Sequence, residues 1–325
     1  MTQHFLLSAK ARTLSLATVA RMSEEEARKA FQAIRWSDNA GKPYCSRCGC
    51  ADMAVYSNGV HWRCKGCRYR FSVTSGTIFA NRKLAIRDIL LAIAIFVNGA
   101  KGHSALQLSR DLDCQYKTAF VLAHKIREAI GAGDKDATVS GEVEIDGCYV
   151  GGYVKPANYK EHRRDRRLAV NQNGKRRVVI VARERNGKTL TFVAKTEDAG
   201  VPGLRDRIAV GSTVYADEAS HWDQLHARYL TKRINHSQAY SDGEGCTNQA
   251  ESFFSRLRRA EIGTHHHISG PYLAAYAAEM DWREDKRSVS NGEQYLIAAN
   301  AAAKHPVSQQ WKGYWQRSAK ACRMI

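Results

Sequence analysis

EVEIDGCYVGGYV, residues 142–154, is the stretch on which the fold of this chain turns. Its apolar residues alternate with polar ones or run together, as in a strand with at least one buried face. Asp146 sits inside it, and Gly147, Gly151 and Gly152 follow. A carboxylate on a central strand, with glycines keeping the approach open, can hold a metal ion beside a large substrate.

Working downstream, RRVVIVARERNGKTLTFVAKT (176–196) reads as a hairpin with its turn at Asn186 and Gly187. A short helix near 198–208 leads to the strand STVYAD (212–217). A helix over about 219–229, the strand TKRINHS (231–237), the helix NQAESFFSRLRRA (248–260) and the helix PYLAAYAAEMDWREDKR (271–287) complete the run. Three strands followed by alternating helices and strands form a mixed α/β pattern. That order matches the ribonuclease H-like fold of polynucleotidyl transferases, although order alone does not fix function.

Two further carboxylates stand at informative places. Asp217 closes the strand STVYAD, where functional groups collect in α/β sheets. Glu251 falls in the first turn of its helix, 34 positions beyond Asp217. Each has a plain alternative, since an Asp at a strand end often forms a turn and a Glu in a first turn often serves the helix dipole. Glu142, Glu144, Glu218, Asp223, Asp242 and Glu244 compete nearby. Together, Asp146, Asp217 and Glu251 are the hard oxygen ligands that two-metal phosphodiester chemistry needs, with ions about 4 Å apart. Mg2+ (or Mn2+) suits such a set.

Upstream the character differs. Cys45-Ser-Arg-Cys48 and Cys64-Lys-Gly-Cys67 are separated by 15 residues. Two such knuckles close a tetrahedral site of four thiolates, which suits structural Zn2+. The intervening ADMAVYSNGVHWR reads as a hairpin turning at Asn58 and Gly59, hence a zinc ribbon. Arg47, Arg63, Lys65, Arg68 and Arg70 surround it, with Trp62 and Tyr69 as exposed candidates for DNA contact. Cys50, Cys114, Cys148, Cys246 and Cys322 read as small apolar residues. Residues 1–40 read as helical, with Ser23 as an N-cap.

SALQLSRDLDCQYKTAFVLAHKIREAI (104–130) splits near Asp113 into two short helices, the outline of a helix-turn-helix. An ordinary helical pair is the alternative. Gln115, Lys117, Thr118, His124, Lys125 and Arg127 on its second helix are able to reach phosphates or base edges. The expected organisation is therefore a helical segment (1–40), a zinc ribbon (41–80), a helix-turn-helix (81–132), a catalytic domain (138–288) and a basic tail (289–325).

Whole-chain properties agree. The 325 residues carry 50 Lys and Arg against 32 Asp and Glu, a net charge of +18. That balance fits a polyanionic partner. No signal peptide is apparent, and the longest apolar run, residues 89–97, is about half of the ~20 residues a membrane span needs. A cytoplasmic, nucleoid-associated protein without a membrane partner is expected.

YCSRCGC, WRCKGCRYRFSVTSGTIF, GHSALQLSRDLDCQYKTAFVLAHKIR, EVEIDGCYVGG, VYADEASHW and NQAESFFSRLRRAEIGTHHHIS with YLAAYAAEMDWRED resemble the DDE-type insertion-sequence transposases that carry an N-terminal zinc ribbon. The resemblance implies that Asp146, Asp217 and Glu251 are catalytic metal ligands. It gives Arg258, two helical turns beyond Glu251, a phosphate-facing role. It also implies hydrolysis and strand transfer on double-stranded DNA, by a homo-oligomer on paired element ends. Two positions depart from the pattern: Arg258 is often lysine there, and His265 replaces an aromatic residue. Arg256 and Arg259 widen the basic surface, and His236 and Asn248 are placed to support the site. Three adjacent histidines, His265–His267, do not easily face one ion, so loop structure or DNA contact is expected of them. A non-catalytic DNA-binding regulator and a nuclease of the same fold are the alternatives.

Overall fold

The computed structural model describes residues 5–57, 59–165, 168–234 and 246–316. Asn58, His236, Asp242, Glu244 and Cys322, all singled out above, fall outside the described residues. The chain divides into two compact units, Met1–Gly133 with Lys286–Ile325, and Asp134–Asp285.

The first unit opens with α1 (Leu16–Ala20) and α2 (Glu24–Arg35). Ser23 and Glu26 cap α2 reciprocally, each side chain bonding the other's backbone amide. Ala27, Phe31 and Ile34 recur at helical spacing and are buried. Strands β1 (Met53–Val55), β2 (His61–Cys64) and β3 (Arg70–Ser72) then form a small antiparallel sheet. So small a sheet needs outside support. Trp36 supplies part of it, standing edge-on to Trp62 at 5.6 Å. Arg35 supplies more, donating to the carbonyls of Ser72, Val73 and Ser75. Burial lowers this guanidinium to about 10.

The expectation that Trp62 is exposed fails, because the residue is 5% exposed and belongs to this aromatic core. Tyr69 is half-buried and stacked on Phe71.

The apolar run read from the sequence lies in α3 (Ile86–Asn98), which is buried almost all round. Ala85 brings no capping side chain, so Glu24 caps α3 from a distance, accepting from the Ile86 and Arg87 amides. Among the described residues no helix is long and apolar enough to cross a membrane. Next come α4 (Ala105–Asp111) and α5 (Tyr116–Gly131), joined through Asp113 at φ 46°. His124 and Arg127 do not face solvent as expected. They fall four and seven positions after Phe120 and share its buried face, with exposures of 0% and 2%. Gln115 and Lys117 are exposed.

The second unit is built on a five-stranded mixed sheet. Its strands are β4 (Glu142–Val150), β5 (Arg177–Glu184), β6 (Thr189–Ala194), β7 (Thr213–Asp217) and β8 (Leu230–Ile234), in the order β6-β5-β4-β7-β8. The pairs β4 with β5 and β5 with β6 are antiparallel. The pairs β4 with β7 and β7 with β8 are parallel. Val143, Ile145, Ile180, Val214 and Ala216 cover one face, beneath α6 (Glu197–Arg205) and the 3-10 helix Ser220–Ala227. Cys148, Val150, Val179 and Val181 cover the other, against α7 (Asn248–Ala260) and α8 (Gly270–Asp285). The sheet is thus buried on both sides in a mixed α/β layer structure.

The last helix, α9 (Asn291–Lys304), belongs to the first unit and packs on α2, α3 and α5. Its buried residues include Ala298, Ala299, Ala302 and Ala303, whose small side chains allow close approach.

Candidate active site

The site is set by strand register. Glu142, Val143 and Glu144 of β4 pair in parallel with Thr213, Val214 and Tyr215 of β7. Continued two residues on, the same register brings Asp146 level with Asp217. Side chains alternate along a strand, so both fall on the face that carries Glu144 and Tyr215. That face looks toward α7, since Cys148 joins the core formed with Phe253 and Leu257.

Helix α7 brings Glu251 and is anchored by a residue that sequence reasoning left among the competitors. Glu144 is fully buried. One of its carboxylate oxygens accepts from the Gln249 and Ala250 amides at 2.8 and 3.2 Å. The other accepts from Arg185 Nε at 3.1 Å. Thr247, at the N-cap of α7, makes no side-chain cap bond. The first turn therefore takes its acceptor from the strand that carries Asp146, two residues away. Arg185 in turn lies over the Tyr215 ring at 3.9 Å and reaches Glu142 at 3.4 Å. The signal for Glu144 was in the sequence, because alternation puts it on the face of Asp146.

Electrostatics tie the acids together. Burial, joined by the charges of Asp217, Glu251 and Glu197, pushes the Asp146 carboxyl up to about 7, against the Gly147 amide that donates to it at 2.7 Å. The Ala219 amide donates to Asp217 at 3.1 Å. Glu251 is exposed on the first turn of α7.

Arg258 lies two turns further along and is exposed; burial raises the Cys148 thiol, next on the face after Asp146, and the Arg258 charge opposes that rise. Arg256 has a different role, because it pairs with the buried Glu284, which also binds Arg183 at 2.7 Å.

Glu197, at the start of α6, is a fourth acid that sequence reasoning missed. It lies against Gly147, where an added Cβ would stand 2.0 Å from its carboxylate oxygen. His221 is 3.5 Å from it. Burial, with the Asp217 charge adding, pushes Glu197 up, and His221 opposes this. Fifty residues separate it from Asp146, so no local pattern announces it.

Beyond β4 the chain turns at Gly151 and Gly152, with φ 74° and 68°. There it borders a 740 Å³ cleft whose lining includes Lys175, Arg177 and His267. His265 packs on Tyr276 at 4.6 Å.

In the ribbon, the ligand atoms of Cys45, Cys48, Cys64 and Cys67 lie within 4.8 Å of one another. Among the described residues no other group of three or more acidic, His or Cys ligands converges so closely. The three carboxylates are therefore more widely spaced than the ligands of a single closed site. The Cys67 amide donates to Cys64 Sγ at 3.4 Å and holds that thiol low, at about 6.

Comparison with known proteins covers most of the second unit and the N-terminal part of the first. The ISXO2-like transposase domain matches residues 138–285, and the transposase zinc-ribbon domain matches residues 22–70. The chain belongs to the insertion-sequence transposases of this type. It is similar to the uncharacterized protein in transposable element ISH50 of Halobacterium salinarum, 27% identical over 274 residues, covering 81% of this chain and 92% of that protein. No solved structure matches it. The transposase-domain match includes the sheet and Asp146, Asp217 and Glu251, and the zinc-ribbon match includes all four clustered cysteines.

Proposed function

We propose that this transposase is a DDE-type enzyme with a ribonuclease H-like catalytic unit, which hydrolyses a phosphodiester at an insertion-sequence end and transfers the freed strand to target DNA. The observation that carries the reading is the parallel register of β4 and β7, which sets Asp146 level with Asp217, together with the Glu144 anchor that holds the helix of Glu251 to the same strand. Three carboxylates near enough for the charges of Asp217 and Glu251 to raise Asp146 are hard oxygen donors of the kind that suits Mg2+ or Mn2+. Asp146, Asp217 and Glu251 hold the ions. When bound, these ions supply positive charge to the attacking and leaving oxygens. Arg258 offers its exposed guanidinium to a DNA phosphate, and Lys175 and Arg177 line a cleft along which the DNA backbone runs.

The zinc ribbon and the α4–α5 pair, acting as a helix-turn-helix, bind the double-stranded element end, and the protein works as a homo-oligomer on paired ends in the cytoplasm, on nucleoid DNA. Duplex binding by the first unit is the part of this reading that does not depend on the carboxylates.

The test is cleavage and joining of labelled element-end DNA in Mg2+ by the wild type and by Asp146→Asn, Asp217→Asn and Glu251→Gln. Each variant is expected to bind DNA and leave it intact. Joining that survives all three removes the assignment. Cutting without joining identifies a nuclease, and binding without cutting by the wild type identifies a regulator.

A pH dependence follows. Without metal, Asp146 keeps its proton below about pH 7, and an ion must displace it. Mn2+ affinity is therefore expected to fall about tenfold per pH unit below 7 and to level off above it. By linkage, the metal-free fold loses stability as pH rises from about 4 to about 7, where the folded state binds more protons than the unfolded one. Calorimetric titration with Mn2+ between pH 5.5 and 8.5 measures the slope, and a flat profile rules the coupling out.

A further inference from the structure

The first unit holds a second basic feature, away from the ribbon. Residues 307–316 fold back along α5. Trp311 is buried, stacked on His124 with centroids 4.3 Å apart. Trp315 Nε1 donates to the Lys117 carbonyl at 3.2 Å. Between this segment and α5 lies a 370 Å³ cleft. Its cationic lining is Arg82, Lys83, Lys117, Lys125 and Lys312, and no carboxylate is among the described residues that line it.

Three properties point to one kind of ligand. The charge is only partly compensated: Lys117 and Lys125 make no ion pair among the described residues, and Arg82 has Glu24 at 3.7 Å. Lys125 is half-buried, and only Glu128, one turn on, offsets the desolvation that lowers it. An aromatic platform stands at the rim. Trp315 is 43% exposed, with Lys117 Nζ over its ring at 5.4 Å. The volume lies near the lower end of ligand pockets, roughly 300–1,000 Å³, and suits a nucleotide rather than a duplex. A row of cations beside an exposed indole is how proteins follow a single strand, with phosphates on the cations and a base on the ring. A base in a duplex has both faces covered by its neighbours and cannot offer one to Trp315.

We propose that this cleft binds the phosphate backbone of a single DNA strand and stacks an unpaired base on Trp315. The C-terminal segment then acts with α5 as part of the DNA-binding surface. The proposal rests on the reading that the first unit binds DNA and is independent of the carboxylate chemistry.

The experiment uses the full-length, zinc-loaded protein and fluorescence anisotropy, with one labelled oligonucleotide offered as a single strand or as a duplex. Trp315→Ala is expected to weaken single-strand binding at least about fivefold, the low end for one base–aromatic stack, while Trp315→Phe keeps most of it. The double variant Lys117→Ala/Lys125→Ala should reduce the slope of log K against log salt by about 1.4, from about 0.7 per lost phosphate contact on a single strand. Duplex affinity should hold in both Trp315 variants, which also shows that they remain folded. Single-strand binding by Trp315→Ala equal to wild type overturns the proposal, as does a parallel loss of duplex affinity. If the wild type binds duplex but not the strand, the cleft proposal alone fails. If it binds neither, the DNA-binding reading fails with it.

Discussion

Removing zinc is expected to unfold the ribbon. The three strands of the first unit have three, four and three residues, too few for a core of their own. Their organising contacts are the four clustered thiols and the wedge of Trp36, Trp62 and Phe71. Zinc bound by four thiolates contributes roughly 10–16 kcal/mol of apparent binding free energy near pH 7, and in so small a motif that energy is folding energy. Without the ion, four thiolates would repel one another, and thiols would bond weakly. Chelation under reducing conditions should therefore abolish the near-ultraviolet signal of the Trp36 and Trp62 pair and the hydrogen-exchange protection of β1–β3. Readdition of zinc should restore both. Cys64→Ser should reproduce the loss, since Cys64 is fully buried and its sulfur takes the Cys67 amide. A ribbon that keeps its protection after complete removal of zinc would refute the metal's structural role.

The ribbon was legible because its chemistry is local. Two C-x-x-C pairs state their ligands, spacing and geometry within 23 residues. The exposure of its aromatics was not legible, because Trp62 is buried by Trp36 from outside the knuckles. The same limit applies along α5. His124 and Arg127 carry polar atoms that suit DNA, but helical spacing places them with Phe120, and the face buried is decided by partners distant in the chain. Trp311 is one of them. The residues after 288 looked like a tail because their alanines show no strong amphipathic contrast. They pack because Tyr295, Ala298, Ala299, Ala302 and Ala303 give α9 a buried face against α2, α3 and α5.

In the second unit, alternation along β4 located the strand of Asp146 and which of its residues share a face. It did not reveal that Glu144, on that face, would be spent on anchoring the amide of a helix residue 105 positions later. Nor did it bring forward Glu197, which reaches Gly147 from the opposite side of the sheet. Contacts that cross layers have no periodicity to betray them.

The Glu144 anchor leads to the second large effect. Glu144→Ala should destabilise the second unit by about 3 kcal/mol, the lower end for removing one partner of a buried pair. The lower end applies because Arg185 keeps Glu142 at 3.4 Å. The losses are specific. Arg185, with its side chain 17% exposed, loses its inner partner, and the Gln249 and Ala250 amides lose their acceptor. For a unit of this size that corresponds to a drop of roughly 6–12 °C in melting temperature. Glu144→Gln separates charge from shape. Its carbonyl can serve the two amides or Arg185, but its NH2 must then face a donor, so it should fall between Ala and wild type. Glu142→Gln is the control, because that carboxylate is half-exposed and its loss should cost no more than about 1 kcal/mol. Function should fall more steeply than stability. Freed from Glu144, the first turn of α7 carries Glu251 out of line with Asp146 and Asp217, and a displacement of about 1 Å at a reacting centre can cost about a hundredfold in rate. Strand transfer measured well below the melting temperature of Glu144→Gln should therefore drop at least that far while duplex binding by the first unit persists. Wild-type transfer rates in a folded Glu144→Gln protein would mean that α7 finds its place without the anchor.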